Sequence, residues 1–190
     1  MNIYWLDRSP VAGARYHSDL HLRMQIVILC QILCAVAWEW APKYSAHNRY
    51  PRPSTSEYRE GRRLITWTGQ HALHYNAVWA IYSNLLSEYK QRTGREHSCG
   101  VFLHSLLHAP RITDLMPATG SLPPLCVSHR VEAALGMDEG WVPKTMDDIV
   151  LGYRMQYVLE HRDIAHWTNR GIPEWYRVLS GEFGLLGRVS

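Results

Sequence analysis

Residues 17–40 read HSDLHLRMQIVILCQILCAVAWEW, in which two histidines and an aspartate precede a long apolar run. Its apolar run covers residues 26–38, which is shorter than the roughly 20 residues that a membrane span requires. A helix that is apolar on all sides is typical of a protein core. Ser18 is a favourable N-cap residue, and Pro42 cannot continue a helix. The stretch therefore predicts one long buried helix that begins after Ser18 and ends before Pro42.

The composition is typical of one globular domain over residues 1–190. Hydrophobic residues make up 46% of the chain and charged residues 19%. The net charge of +3 permits an anionic partner without requiring one. The chain has 8 Trp and 11 Tyr but only 2 Phe, and Trp and Tyr suit both a packed core and a surface that stacks on bases.

The remaining sequence predicts further helices joined by long loops. The first residues, MNIYWLD, favour a brief extended arm. Helical periodicity and capping residues predict helices over about residues 69–92, 99–108 and 145–167, and a last short helix with Pro173 at its first position. The polar, proline-containing residues 41–69 and 109–144 are predicted to be loops. The predicted fold is compact and all-α, with long Pro-rich loops around a buried central helix.

The loop predicted over residues 41–69 is the most basic part of the chain. Its arginines are Arg49, Arg52, Arg59, Arg62 and Arg63.

His17, Asp19 and His21 lie at the start of the predicted core helix. On a helix the two histidines share one face, and Gln31 points within about 80° of both. A His-x₃-His pair can ligate a metal, but spacing supplies no further ligand, so no metal site is predicted. Near the positive end of a helix, a neutral His21 can accept a proton or bond to a base edge. The alternative is that the histidines act as caps while Asp19 stabilises the helix dipole.

The segment HALHYNAVW, residues 71–79, brings His71, Asn76 and Trp79 near the start of the next helix. Asn76 and Trp79 share a face because they are three residues apart. An Asn beside a Trp can hydrogen-bond to the edge of a heterocycle while the indole stacks on its plane. The alternative is a core Trp with a solvent-facing Asn.

Two further segments carry cations. EYKQRTGREH, residues 88–97, contains Lys90, Arg92, Arg95 and His97. Such a turn can hold phosphates, although helix C-termini also attract cations. Residues 153–176 interleave basic and aromatic side chains, which is typical of nucleic-acid contact and also of a packed aromatic stripe beside a solvated face. The basic and aromatic residues of this segment are Tyr153, Arg154, Tyr157, Arg162, Trp167, Arg170 and Trp175.

Taken in order, these segments resemble a family of small phage proteins, and the resemblance covers nearly the full length. The matching segments are MNIYWL at 1–6, SP at 9–10, HSDLH at 17–21, Gln31, NAVW at 76–79, RTGREH at 92–97, YR at 153–154 and WTNRGIPEW at 167–175.

That family is distantly similar to phage pyrimidine-dimer DNA glycosylases, compact all-α enzymes whose first long helix begins with D-x-H-L. Residues 19–22, DLHL, reproduce this tetrapeptide. Those glycosylases use a Glu seven residues after the His, where this chain has Ile28. The lysine that the phage family usually carries three residues after the His is Met24 here, beside Arg23. The missing carboxylate disfavours glycosidic cleavage.

These proteins also look similar to phage enzymes that decorate pyrimidines, in which an amine displaces an activated hydroxymethyl group on the base. This resemblance implies a phage-encoded enzyme of the host cytoplasm that binds double-stranded DNA, extrudes a modified pyrimidine and transfers an amine or amino acid to it. Its partners would be DNA and a small-molecule amine or amino-acid donor, with no cofactor and no membrane. A pyrimidine-dimer-type glycosylase/AP lyase and a non-catalytic DNA-binding module are the alternatives, and the oligomeric state is not predicted.

The sequence thus predicts three sets of site residues. The catalytic set is His17, Asp19 and His21. The substrate-binding set is Gln31, His71, Asn76, Trp79, Tyr153, Trp167 and Trp175. The phosphate-binding set is Arg92, Arg95, His97, Arg154 and Arg170.

Overall fold

The computed structural model describes residues 2–47, 54–101, 110–118, 120–138 and 141–182. Within these ranges the chain forms helices and no β-strand, which confirms the all-α prediction. The helices are α1 Pro10–Tyr16, α2 Asp19–Trp40, α3 Pro42–His47, α4 Thr55–Gln70, α5 Ala72–Thr93, α6 Pro110–Thr113, α7 His129–Ala134, α8 Met146–Glu160 and α9 Glu174–Glu182. Residues 98–101 are also helical, and a 3₁₀ turn at Arg162–Ile164 follows α8.

Helix α2 is the central helix that the sequence predicts. Residues 32–37 are buried without interruption, so the second half of the helix packs on all sides. Its first half leaves Arg23, Met24 and Val27 exposed. Helices α4 and α5 both pack against it. Asp19 at the start of α2 pairs with Arg92 near the end of α5, so these two long helices run antiparallel.

By length and composition alone, α2 also meets the criterion for a membrane span. The helix has 22 residues, and an 18-residue window has a mean hydropathy of 1.8. The helix that meets this criterion is therefore longer than the apolar run of residues 26–38, from which the sequence argues against a membrane span. In the fold, 67% of that window is buried against the rest of the chain.

The N-terminal residues form an extended arm that lies in the core, with Ile3 and Leu6 fully buried. The side chain of Gln25 on α2 holds this arm. Its Oε1 accepts from the Tyr4 N–H at 3.1 Å, and its Nε2 donates to the Asn2 carbonyl at 2.9 Å. Because a buried backbone without sheet partners needs other hydrogen bonds, Gln25 substitutes for a neighbouring strand.

The prediction of a loop over residues 41–69 is wrong. Helices α3 and α4 occupy most of this stretch. Leu64, Ile65 and Trp67 are buried, whereas Arg59 and Arg62 are exposed on the other side of α4. The apolar stripe is short and lies among polar residues, so the composition masks the helical period. Arg49 and Arg52 lie outside the described residues.

Other predicted boundaries need smaller corrections. Helix α5 begins after a break at residue 71, and α8 ends at Glu160, short of the predicted residue 167. The capping box at the start of α8 is present, because Thr145 and Asp148 exchange hydrogen bonds. The predicted loop 109–144 contains α6 and α7. Most of the helix predicted over residues 99–108 lies outside the described residues.

Gly94 ends α5 in the left-handed conformation, with φ of 70°, and its N–H donates to the Lys90 carbonyl at 2.9 Å. An added Cβ would meet nothing within 4 Å, so Gly94→Ala changes only the backbone energy. We expect this variant to lose about 1 kcal/mol of unfolding free energy in urea denaturation. Gly171→Ala is the control, because that site is also open and has no positive φ. Equal losses of unfolding free energy in Gly94→Ala and Gly171→Ala would contradict the role of Gly94 as a left-handed helix cap.

Candidate functional site

Asp19 is the first residue of α2, and its carboxylate is half-buried. It accepts hydrogen bonds from Arg92 Nη1 at 2.9 Å and from the Thr168 N–H at 2.8 Å. Burial acts to raise the pKa of this carboxyl, but the hydrogen bonds from Thr168 and Arg92 and the charge of Arg92 outweigh it and lower the pKa. The positive end of the helix favours the same ionised state. Asp19 is therefore an anionic acceptor at neutral pH.

Arg92 is a buried residue that binds four groups of the protein. Besides Asp19, its guanidinium donates to Glu88 Oε1 at 2.7 Å and to the carbonyls of Arg15 and His17, each at 2.9 Å. These bonds join α1, α2 and α5. Because protein acceptors occupy its donors and the side chain is 3% exposed, Arg92 is not available to a phosphate. The prediction of phosphate binding by Arg92 is corrected accordingly.

Glu88 lies between two arginines in the interior. Its carboxylate accepts from Arg92 and, with both oxygens, from Arg170 at 2.7 and 2.8 Å. Burial acts to raise the pKa of Glu88, and the hydrogen bonds and charges of the two arginines lower it further than burial raises it. Arg170 is predicted to bind phosphate, but it also donates to Gln91, so it serves an internal contact here. We call Asp19, Glu88, Arg92 and Arg170 the carboxylate–arginine network.

His17 and His21 are buried, in contrast to the prediction that they face a substrate. His17 Nδ1 donates to the Gly13 carbonyl at 2.8 Å, whereas its Nε2 has no partner among the described residues. His21 Nδ1 pairs with the Ser18 hydroxyl at 3.1 Å. Burial lowers the pKa of His17 to about 4 and, with repulsion from His161 and His17, lowers the pKa of His21 to about 3. Both imidazoles are neutral at pH 7.

An aromatic layer separates His21 from solvent. The ring centroids of Tyr4, Tyr157 and His161 lie 5.3, 4.7 and 4.4 Å from that of His21. The Tyr4 hydroxyl and His161 Nε2 are hydrogen-bonded at 2.9 Å. This bond joins the N-terminal arm to the residue that follows α8. His17 and His21 are therefore core residues, and of the predicted catalytic set only Asp19 reaches the surface.

A cavity of about 260 Å³ lies beside Asp19. We call it the Asp19 cavity. The end of α5 and the loop after the 3₁₀ turn form its other walls. It combines an anion, a nearby exposed cation, an aromatic ring and apolar surface. Its lining residues are Asp19, Leu22, Arg23, Tyr89, Arg92, Thr93 and Thr168.

The predicted residues on α8 and on the loop and helix that follow it pack inward. Arg154 donates to the Leu6 carbonyl at 2.9 Å and to Asp7 at 3.1 Å, and it lies 5.2 Å from the ring of Trp175. Burial lowers the pKa of Arg154, while the neighbouring Asp7 opposes that effect. Trp167 Nε1 donates to the Tyr16 carbonyl at 3.0 Å. These contacts favour the alternative of a packed aromatic stripe for this segment.

Tyr153 is also an internal residue. Its side chain is fully buried, and its hydroxyl donates to Asn2 Oδ1 at 3.0 Å and accepts from the Cys126 N–H at 3.3 Å. It holds the loop before α7 against the N-terminal arm. No surface of Tyr153 is open to a substrate.

His71, Asn76 and Trp79 lie near the opposite end of α5 from the Asp19 cavity. At 1.5 Å per residue, Asn76 is about 24 Å along the helix from Arg92. Asn76 is exposed and Trp79 half-buried, which matches the alternative of a packed Trp beside a solvent-facing Asn. Gln31 is half-buried about 15 Å along α2 from His21. The structure does not bring these four residues to the predicted site.

Arg95 and His97 follow the end of α5 and lie close to the Asp19 cavity. Arg95 is exposed. His97 is half-buried, and its ring is 5.1 Å from that of Tyr89, which lines the Asp19 cavity. Burial, and then the charge of Arg23, lower the pKa of His97. Arg23 therefore lies near both His97 and Asp19.

The predicted site residues do not include Glu88, Thr168 or the aromatic partners of His21. Glu88 has a signal in the sequence, since it stands four residues before Arg92 and such pairs meet on a helix. Thr168 and Tyr4 have none, because they reach the site from distant segments. Among the described residues, no group of three or more His, Cys, Asp or Glu side chains is arranged to hold a metal ion.

Comparisons with protein-family models, curated proteins and solved structures find no match to this chain.

Proposed function

We propose that this protein binds double-stranded DNA and takes an extruded, modified pyrimidine into the Asp19 cavity, where an amine or amino acid is transferred to the base. The observation that carries the proposal is the position of an ionised Asp19 in a cavity of about 260 Å³. That volume is just below the roughly 300–1,000 Å³ typical of ligand sites, so the cavity suits a small ligand such as a single base.

The lining of the Asp19 cavity offers the contacts that an extruded base requires. Tyr89 and Leu22 supply a flat ring and apolar surface against which a heterocycle can pack. Asp19 already accepts one hydrogen bond at each oxygen, and each oxygen keeps a further lone pair. This carboxylate can therefore accept from an N–H of the base or from the ammonium group of a donor.

The cations around the Asp19 cavity suit DNA phosphates and an anionic leaving group. Arg15, Arg23 and Arg95 are exposed at this end of the molecule, and none pairs with an acidic side chain among the described residues. Because these charges are uncompensated, the local field is more positive than the net charge of +3 indicates. Arg23 lines the cavity itself and is the residue placed to hold the leaving group.

The transfer would proceed by displacement at the exocyclic methylene carbon of the pyrimidine. The donor nitrogen forms a C–N bond as the C–O bond to the activated hydroxyl breaks, and the electron pair leaves with that oxygen beside Arg23. The nitrogen loses a proton to the departing oxyanion or to water, while the Asp19 carboxylate accepts a hydrogen bond from the donor N–H and stabilises the positive charge that develops on it. His21 on α2 and His17 just before it support this site from the core side and take no part in proton transfer, because both are buried.

Asp19→Asn tests this assignment. With a duplex that carries a phosphate-activated 5-hydroxymethyluracil and a primary amine, we expect the variant to form modified nucleoside at least about 100-fold more slowly. The product is measured by mass spectrometry of the digested duplex. Duplex affinity, measured by fluorescence anisotropy, should change little because phosphate contacts dominate it.

Glu96→Gln is the matched control for that experiment. It also removes one negative charge near the end of α5, but Glu96 pairs with Lys90 outside the Asp19 cavity. We expect it to keep wild-type transfer. Equal transfer by wild type and Asp19→Asn would support a non-catalytic DNA-binding module instead. A covalent adduct trapped with borohydride would support the glycosylase/lyase, although the half-buried Ile28 supplies no carboxylate at the expected position.

A further inference from the structure

Asn169 has a backbone conformation that residues with a side chain rarely adopt. Its φ is 59°, and in the part of the chain that the structure describes it is the one non-glycine residue with a positive φ. It lies in a tight turn, which the Arg170 N–H closes by donating to the Trp167 carbonyl at 3.4 Å. A positive φ at the third of four turn residues is characteristic of a type II turn, and Asn tolerates it better than most residues do.

This turn holds one oxygen of the Asp19 carboxylate. The Thr168 N–H donates to Asp19 Oδ2 at 2.8 Å, whereas Arg92 Nη1 donates to Oδ1 at 2.9 Å. Because the two donors bind different oxygens, together they restrict rotation of the carboxylate about its bond to Cβ. The direction in which Asp19 presents its remaining lone pairs to the cavity therefore depends on the turn as well as on Arg92.

Two contacts with α5 anchor the turn. The Asn169 Nδ2 donates to the Arg92 carbonyl at 3.2 Å, in the last turn of the helix, where backbone carbonyls lack an intrahelical donor. Arg170 binds both oxygens of Glu88 at 2.7 and 2.8 Å. Since the turn is held to α5 at these two points, the backbone conformation of Asn169 sets the direction in which the preceding Thr168 N–H points.

We propose that Asn169 is the positioning residue of Asp19: its left-handed backbone aims the Thr168 N–H at Asp19 Oδ2 and so sets the orientation in which the carboxylate meets the donor amine. This inference rests on the proposed function and deepens it, because Asn169 acts through Asp19. Asn169 is not among the residues that line the Asp19 cavity, so it needs no contact with the substrate. Asp19 is thus oriented by the buried Arg92 and by an exposed turn.

Asn169→Ala and Asn169→Gly separate the backbone of Asn169 from its side chain. Both variants remove the amide, but only glycine adopts a positive φ without steric strain. We expect the Thr168 N–H to exchange with solvent about tenfold faster in Asn169→Ala than in Asn169→Gly, as measured by NMR at pH 7. The reference is the Ala72 N–H, which donates to the Pro117 carbonyl at the other end of α5 and should exchange equally in both variants.

Asn169→Pro tests the effect of the turn on transfer, because proline fixes φ at about −65° and cannot adopt the conformation of Asn169. The substrates are the duplex with phosphate-activated 5-hydroxymethyluracil and a primary amine. We expect kcat to fall at least about tenfold while the KM for the duplex stays unchanged, since a misplaced carboxylate slows the chemical step and phosphate contacts dominate duplex binding. Asn169→Gly should keep kcat within about threefold of the wild-type value.

Equal exchange of the Thr168 N–H in Asn169→Ala and Asn169→Gly would overturn the inference. Equal kcat values for Asn169→Pro and Asn169→Gly would also overturn it. The exchange measurement needs no substrate, so it separates this inference from the proposed function. Faster Thr168 exchange in Asn169→Ala, together with no transfer by the wild type, would support the orientation of Asp19 by Asn169 and would count against the proposed function.

Discussion

Arg92→Met is expected to lower the free energy of unfolding by about 3–5 kcal/mol, because it removes the central cation of a buried network. The variant leaves Glu88 buried with Arg170 as its remaining cation and leaves two backbone carbonyls without their donor. Urea denaturation at pH 7 measures the loss. Methionine has a similar length and is apolar, so the change tests the charge and the hydrogen bonds more than the volume.

Lys90→Met is the matched control for Arg92→Met, since it removes a cation from the same helix. The Lys90–Glu96 pair is largely exposed, with side chains 62% and 59% accessible, so its loss should cost no more than about 1 kcal/mol. Arg92→Lys should fall between the two, because an ammonium keeps the charge but cannot reach all four acceptors. If Arg92→Met and Lys90→Met lose the same stability, the network does not join α1, α2 and α5 in the way described.

Acidification is the second change with a large expected effect. In the folded state the pKa of His17 is about 4 and that of His21 about 3, whereas an unfolded histidine titrates near 6.5. Below pH 6.5 the unfolded chain therefore binds protons that the folded chain excludes. Their contribution to stability is complete above pH 6.5 and decreases as the pH falls. At pH 5 each of these two histidines should lower the free energy of unfolding by roughly 2 kcal/mol relative to its value at neutral pH.

The measurement is the free energy of unfolding in urea at intervals from pH 7.5 to pH 5. His21→Asn should give a smaller decrease over this range than the wild type, even if it is less stable at every pH. His129→Asn is the control, because it makes the same substitution at a histidine whose side chain is fully exposed on α7. His74, His97 and His161 are also shifted to lower pKa, so a residual slope remains in His21→Asn. Parallel curves for His21→Asn and wild type would show that His21 is not buried neutral.

The long apolar helix and its limits could be predicted because its central run is apolar on every face, which is typical of a helix in a protein core. Ser18 and Pro42 bound it in the sequence, and α2 spans Asp19–Trp40. Helix α4 was not predictable in the same way. Its buried stripe is formed by few residues, and arginines and prolines around it resemble a loop. The sequence pattern reports the period of a helix only when the apolar face is long enough to repeat.

The exposure of the motif residues could not be predicted from the sequence. Asp19 is predicted to be catalytic and Arg92 and Arg170 to bind phosphate, whereas in the structure these three residues lie in one internal network. The spacing of His17 and His21 places both on one side of the helix start, but it does not reveal what covers that side. Tyr4 and His161, which cover His21, come from the two ends of the chain. Burial of a polar residue depends on such distant segments, so local sequence could not indicate it.

Base extrusion into the Asp19 cavity is measured most directly with a duplex that carries one pyrrolocytosine, a fluorescent pyrimidine that is quenched when stacked. Thr93 lines the cavity and is exposed, so Thr93→Trp should fill the space while leaving the DNA-binding surface intact. We predict that saturating wild-type protein raises the fluorescence several-fold, and that Thr93→Trp binds the same duplex without that rise. An equal rise with both proteins, or none with wild type at saturation, would contradict the account.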